Sequence, residues 1–251
     1  MIHKVRAKLR AVYHHHATER CDARFERVGI ELLEADRDHL TEVAYVEGLV
    51  RRIGLVRDYR DVYGSDARFQ NPVHRGLWQV PRQLAEFAVF LSGHSINSFL
   101  EIGTFTGHSF NFLMLYLARF NPGLRGATVD IADFSAIKLR ALRGLNAQFV
   151  IGTSENFARE RFDLCLIDGL HSFAGVTADY ERVGQFAKIC AFHDINDEFV
   201  EQDPKNDGGV PRFWNTLRAE TSDREFHEFL FHSDRKRIMG IGAAVRRDED
   251  E

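Results

Sequence analysis

The sequence predicts an α/β fold: a mostly parallel sheet with helices on both faces. Three observations lead there. From residue 98 onward, five short apolar runs alternate with helical segments, the order of a parallel sheet with crossover helices. The first of these runs ends in a glycine turn, as strands do at the ligand edge of such sheets. The last two apolar runs are joined by a link too short for a parallel crossover, so they form an antiparallel pair.

Taken in order, residues 1–70 read as helical and polar. Asp38 to Val56 carries Leu40, Val43, Val46, Val50 and Ile53 at helical spacing. Tyr59 to Pro72 reads as irregular, with Gly64, Asn71 and Pro72 as breakers. Pro81 to Leu91 reads as a helix with proline in its first turn. The strands follow at Ser98–Gly103, Ala127–Ile131, Gln148–Ile151, Asp163–Ile167 and Lys188–Phe192. Helices are predicted at 108–120, 135–143, 155–159, 173–184 and 210–219. The closing pair is Glu228–Phe231 and Ile238–Val245, linked by Ser233 to Arg237. This divides the chain into an N-terminal helical cap or extension (1–80), a main domain (81–247) and an acidic tail (248–251).

With 251 residues, 44% hydrophobic and 28% charged, the chain is long enough to bury a core without staples. Its 21 phenylalanines point to aromatic packing in that core. A net charge of −4 argues against a nucleic-acid partner, despite the local run Lys4, Arg6, Lys8 and Arg10. Cys21, Cys165 and Cys190 are odd in number and far apart; Cys165 and Cys190 lie in apolar runs and read as buried free thiols, which fits a reducing cytoplasmic setting. The first 20 residues lack a signal-peptide apolar stretch, and no run is long enough to span a membrane. His14-His15-His16 reads as a solvated surface run. Homo-oligomerisation is left open.

Five motifs carry chemistry. Phe99 to Ser109 runs from a buried strand through Gly103 and Gly107 into a helix, with the acidic Glu101 inside the strand. A phosphate cradle avoids a carboxylate there, whereas a cationic amino-acid ligand favours one, and the spacing is not G-x-G-x-x-G. Asp130 ends the second strand, where a carboxylate can accept both hydroxyls of a ribose. Gly152-Thr153-Ser154-Glu155 follows the third strand, and Ser154 reads either as a nucleoside contact or as a helix N-cap. Phe162 to Ser172 ends its strand at Asp168, with a glycine turn and then His171. Ala191 to Asp197 ends the fifth strand in His193-Asp194. Asp168 and Asp194 on neighbouring strand ends suit a hard divalent cation, while strand alternation points His193 to the opposite face.

The run from Glu101 to Asp197 resembles the class I S-adenosylmethionine-dependent methyltransferases. Ile167-Asp168-Gly169-Leu170-His171, the His193-Asp194 pair and Gly209 to Trp214 resemble the branch that holds macrocin-type sugar O-methyltransferases, cephalosporin-hydroxylase-like proteins and, more distantly, catechol O-methyltransferase. The resemblance covers about residues 70–245. It implies a Rossmann-like methyltransferase fold, with a seven-stranded, mostly parallel sheet and an antiparallel last strand. It implies S-adenosyl-L-methionine as cofactor, with Glu101 and Gly103 on the methionine part, Asp130 on the ribose, Ser154 and Glu155 by the adenine, and Thr104, Gly107, Ser109 and Asp168 also in the cofactor site. It implies Mg2+ or another divalent cation on Asp168 and Asp194, with His193 standing where macrocin-type enzymes carry Glu, and His171 as the base. The acceptor is then a small hydroxylated molecule: a sugar, a glycosylated natural product or a catechol-like ring. Two other readings stay open, a nucleotide-dependent oxidoreductase using Asp130 and a non-catalytic methyltransferase-fold binding module.

Overall fold

The computed structural model describes residues 19–56, 75–132, 144–231 and 237–247. The basic N-terminal run, His14-His15-His16, the irregular stretch Tyr59 to Pro72, the helix expected at 135–143, most of the Ser233 to Arg237 link and the acidic tail lie outside them.

Seven strands form one sheet: β1 (Ser98–Ile102), β2 (Arg125–Asp130), β3 (Asn146–Ile151), β4 (Leu164–Ile167), β5 (Ile189–His193), β6 (Arg224–Phe229) and β7 (Ile241–Arg246). Their spatial order is β3-β2-β1-β4-β5-β7-β6, and β7 runs antiparallel to both of its neighbours. The closing pair thus exists as expected, but β7 inserts beside β5 and leaves β6 at the edge. β6 also begins four residues earlier than the apolar run suggests, because its Arg224-Glu225-Phe226-His227 start holds a single apolar residue, as the partly wet edge strand of a sheet allows.

The central strands have two apolar faces, which explains why they read as continuous apolar runs. Phe99, Leu164, Leu166, Ile189 and Ala191 point into one core cluster. Their alternates Leu100, Cys165, Ile167, Cys190 and Phe192 point into the other. The second cluster is covered by α6 (Phe173–Arg182) and α8 (Gly209–Glu220). There Phe192 packs against Phe213 at 5.4 Å and Trp214 at 5.7 Å between ring centroids, which accounts for part of the phenylalanine content. All three cysteines are buried free thiols.

The first cluster is covered by α4 (Pro81–Ser92) and α5 (His108–Ala118), and outside them by α1 (residues 19–34), α2 (Arg37–Leu40) and α3 (Val43–Ile53). The helix expected over Asp38 to Val56 is split. Thr41 caps α2 with its hydroxyl on the Asp38 carbonyl, and the chain restarts at Glu42, while Leu40, Val46, Val50 and Ile53 stay buried on the same side. Phe25, Val28, Leu32, Leu49 and Ile53 share one cluster with Phe87, Phe110, Leu113 and Phe99. Consequently α5 is apolar nearly all round, with Phe110 through Leu117 all buried. Two polar ties fix the outer helices to it: the Tyr116 hydroxyl donates to the Leu40 carbonyl at 2.6 Å, and the Arg119 guanidinium donates to the Ala35 carbonyl at 2.6 Å. Among the described residues, no helix is long and apolar enough to cross a membrane.

Because the cluster is shared, the N-terminal helices and the sheet should melt together. Tyr116→Phe leaves the Leu40 carbonyl buried without its donor and is expected to cost about 1–3 kcal/mol. Urea denaturation followed by circular dichroism should show one transition shifted to lower urea; two separate transitions would contradict a shared core.

Candidate functional site

The carboxyl ends of β1, β2, β4 and β5 converge on one edge of the sheet, and Glu101, Asp130, Asp168, His171, His193 and Asp194 lie along it. β1 delivers Glu101, which is fully buried. Parallel register sets Glu101 opposite Thr128 on β2, and the Thr128 hydroxyl donates to Glu101 Oε2 at 3.2 Å. Thr104 Oγ1 lies 2.6 Å from Thr128 Oγ1, extending a buried hydroxyl chain to the carboxylate. Glu101 Oε1 is buried with no hydrogen-bond partner. Burial pushes the Glu101 carboxyl well up from the usual carboxylate range; the nearby Ser109 and Thr128 hydroxyls counter this, while the Asp168 and Asp130 carboxylates reinforce it.

The turn after β1 is set by backbone approach. Gly103 has φ +98°, and a Cβ there would meet the Asp168 carbonyl oxygen at 2.0 Å. No other residue fits where the β1 and β4 exits touch. The turn ends at Gly107, φ +78°, which starts α5. Asp130, half-buried at the end of β2, accepts a hydrogen bond from the Phe105 amide at 2.8 Å, so its Oδ2 braces the turn. His108 ties the turn to the N-terminal segment, where the Phe25 ring of α1 meets it edge-on at 5.2 Å between centroids. Its Nε2 accepts from the Gly76 amide at 3.1 Å and its Nδ1 meets Thr106 Oγ1 at 2.9 Å; since Nε2 accepts, the neutral ring carries its proton on Nδ1.

Beyond β4 and β5 lies a compact cluster. Asp168 Oδ1 is 3.3 Å from His193 Nδ1 and 3.7 Å from His171 Nε2. Asp194 Oδ1 is 3.1 Å from His193 Nδ1, and its Oδ2 is 3.4 Å from His171 Nε2. Asp168, His193 and Asp194 each offer a ligand atom within 4.8 Å of the others, close enough that they could share a metal ion. The expectation that His193 faces away is corrected here. Asp194 has φ +63°, so the strand leaves its pleat there and both residues reach the same cluster. Such a conformation in a non-glycine residue costs of order 1–3 kcal/mol and persists only where its surroundings enforce it.

Charges in the cluster support one another. Burial disfavours ionised Asp168, yet the His193 and His171 rings outweigh it and hold the carboxyl well below its usual range. Burial likewise disfavours protonated His193, and the Asp168 and Asp194 carboxylates outweigh it, raising the ring well above the usual histidine value. His171, more exposed, is raised for the same reason after a loss to desolvation. His193 Nε2 is buried without a partner.

Two expected residues stand apart. Ser154 is fully buried and donates to Asp179 Oδ1 at 2.6 Å; the cap of the short 3-10 turn Ser154–Phe157 is Thr153. Glu155 is exposed and pairs with Arg182 at 3.1 Å. Neither presents a free group to the strand ends. Sequence reading missed Thr128, although it shares a face with Asp130 by simple alternation, and it missed Asp179 and His108, which only the packing of distant segments connects to the site.

No family model matches the chain, and no curated protein matches it by sequence. Solved structures do match by shape. An O-methyltransferase from Bacillus cereus, solved in complex with SAH, is 18% identical, with a TM-score of 0.51 over 67% of this chain and 82% of its own. The O-methyltransferase TomG from Streptomyces achromogenes, involved in tomaymycin synthesis and solved with SAM, is 18% identical, with a TM-score of 0.53 over 80% of this chain and 96% of its own. With its sheet order and its antiparallel last strand, the chain has the Rossmann-like methyltransferase fold.

Proposed function

We propose that this chain is an S-adenosylmethionine-dependent O-methyltransferase acting on a hydroxyl of a small molecule, with a divalent cation at the Asp168 cluster. The observation that carries the reading is Glu101: a buried carboxylate with one unpartnered oxygen at the exit of the central strand. Such a group is costly unless a cationic partner completes it, and the amino group of S-adenosylmethionine is such a partner. Asp130, with Oδ2 braced by the turn, keeps Oδ1 for ribose hydroxyls. The two structural neighbours, O-methyltransferases solved with SAH and with SAM, support this assignment.

The cluster of Asp168, His193 and Asp194 fits a cation by its donor chemistry. Its imidazole makes it as suited to Mn2+ or Fe2+ as to Mg2+, which favours oxygen alone. A divalent cation held there would supply positive charge that offsets the two carboxylates and polarises an acceptor hydroxyl. His171 accepts the hydroxyl proton at Nε2, the atom that faces both carboxylates. Asp168 and Asp194 steady the ring that forms. Leu170, 67% exposed beside His171, offers an apolar surface for the acceptor's body. Most of the rate enhancement comes from holding acceptor oxygen and methyl donor in line.

Three sets of substitutions test this reading. Glu101→Gln should weaken S-adenosylhomocysteine by about 10–100-fold, the 1.5–3 kcal/mol of a hydrogen bond to a charged group. The same change should raise the melting temperature of the ligand-free chain. The raised carboxyl favours the folded state while protonated, and that contribution fades as pH climbs through its folded value. At neutral pH the amide escapes the loss, and calorimetry with thermal melts reads both effects.

Asp168→Asn combined with Asp194→Asn should abolish Mn2+ binding in a calorimetric titration, and exhaustive chelation should stop methyl transfer to a panel of sugars and catechols. Full turnover after chelation would remove the cation from the mechanism. His171→Ala should lower kcat by about 10²–10⁴-fold, the range for loss of a general base, with S-adenosylhomocysteine affinity unchanged. Wild-type single-turnover rates in that variant would reassign the base.

A further inference from the structure

At the opposite edge of the sheet, where β4 and β5 begin, a surface cleft of about 240 Å³ is lined by Arg161, Phe162, Asp163, Phe186, Lys188 and Arg246. Its charge is one-sided. Arg246 and the buried Arg224 both donate to a single acceptor, the Gln185 carbonyl, at 2.5 and 2.8 Å. Arg224 is 3% exposed and is otherwise held by the carbonyls of Ala244 and Ala187, not by a carboxylate. Among the described residues, no carboxylate pairs with Arg161, Lys188, Arg224 or Arg246. Asp163, the acid within the cleft, is already engaged: its Oδ2 accepts from the Asn97 amide, the Ser98 amide and the Ser98 hydroxyl at 2.8 to 3.1 Å. Two guanidinium groups converging on one carbonyl repel each other, and a chain with a net charge of −4 has carboxylates to spare for them. That Arg161, Lys188 and Arg246 stand without a carboxylate partner at a concave surface with two phenyl rings is an arrangement suited to a flat anion.

We propose that this cleft binds a small organic phosphate carrying a planar ring, with the phosphate among Arg161, Lys188 and Arg246 and the ring against Phe162 and Phe186. The five-residue β5 separates it from Asp194, a span of about 16 Å at roughly 3.3 Å per residue. It is therefore a second site, independent of the cofactor edge and of the function proposed above.

The test is a calorimetric titration of the full chain with phenyl phosphate, which carries no adenosine, and with inorganic phosphate. Phenyl phosphate should bind more tightly than inorganic phosphate. Arg161→Ala with Lys188→Ala should weaken it at least about tenfold, the scale for losing charged hydrogen bonds. Asp130→Ala, at the other edge, should leave it unchanged. Amide NMR shifts should concentrate at residues 161–163, 185–189 and 246. Absence of binding, equal affinity in the double variant, or inorganic phosphate binding as tightly as phenyl phosphate would each overturn the proposal. The same titration with Asp248, Glu249, Asp250 and Glu251 changed to their amides covers the neighbouring acidic run. Binding seen only in that variant would mean the chain's own carboxylates fill the cleft, and would overturn it too.

Discussion

A carboxylate with no solvent exposure stands in the central strand, and much of the ligand edge is organised around it. Glu101 cannot shed its desolvation penalty, because β1 has apolar cores on both faces and the sheet closes over it. The fold offsets part of the penalty with the Thr104–Thr128 hydroxyl chain and leaves one oxygen without a partner. Protein interiors rarely keep such a group without a use for it. The left-handed glycine at 103 is a second consequence: bringing the β1 and β4 exits into contact sets Asp168 close enough to Glu101 for their charges to interact.

The same economy operates at the Asp168 cluster. Each of two carboxylates lies 3.1 to 3.7 Å from each of two imidazoles. The acids raise both imidazoles above their ordinary range, and the histidines hold the Asp168 carboxyl well below its own. The left-handed Asp194 is the backbone cost of that arrangement. The N-terminal helices complete the core over α5, whose first residue, His108, holds the turn after β1 through Thr106.

What was legible in the sequence follows from how locally each feature is encoded. The sheet's parallel strands could be read because two apolar faces leave uninterrupted runs such as Leu164 to Ile167, and Glu101, Asp130, Asp168 and Asp194 because each falls at or near the end of such a run. β6 was read late because half of its residues face water. The true orientation of His193 was hidden because alternation holds only while the strand stays pleated, and the positive φ of Asp194 has no signature in residue type. Ser154 could be read as a contact or a cap; the cap is Thr153, and the Ser154 hydroxyl goes to Asp179, which arrives from α6, 25 residues on. The split after Leu40 was invisible to periodicity because both segments bury the same side.

The central claim is that the Glu101–Asp130 edge takes S-adenosylmethionine and not a nicotinamide dinucleotide, both of which carry a ribose for Asp130. Native mass spectrometry of the intact chain, mixed with equal amounts of S-adenosylhomocysteine and NAD+, tests it most directly. The expected spectrum shows one S-adenosylhomocysteine per chain and no dinucleotide adduct. A chain that carries NAD+ and excludes S-adenosylhomocysteine would contradict the account.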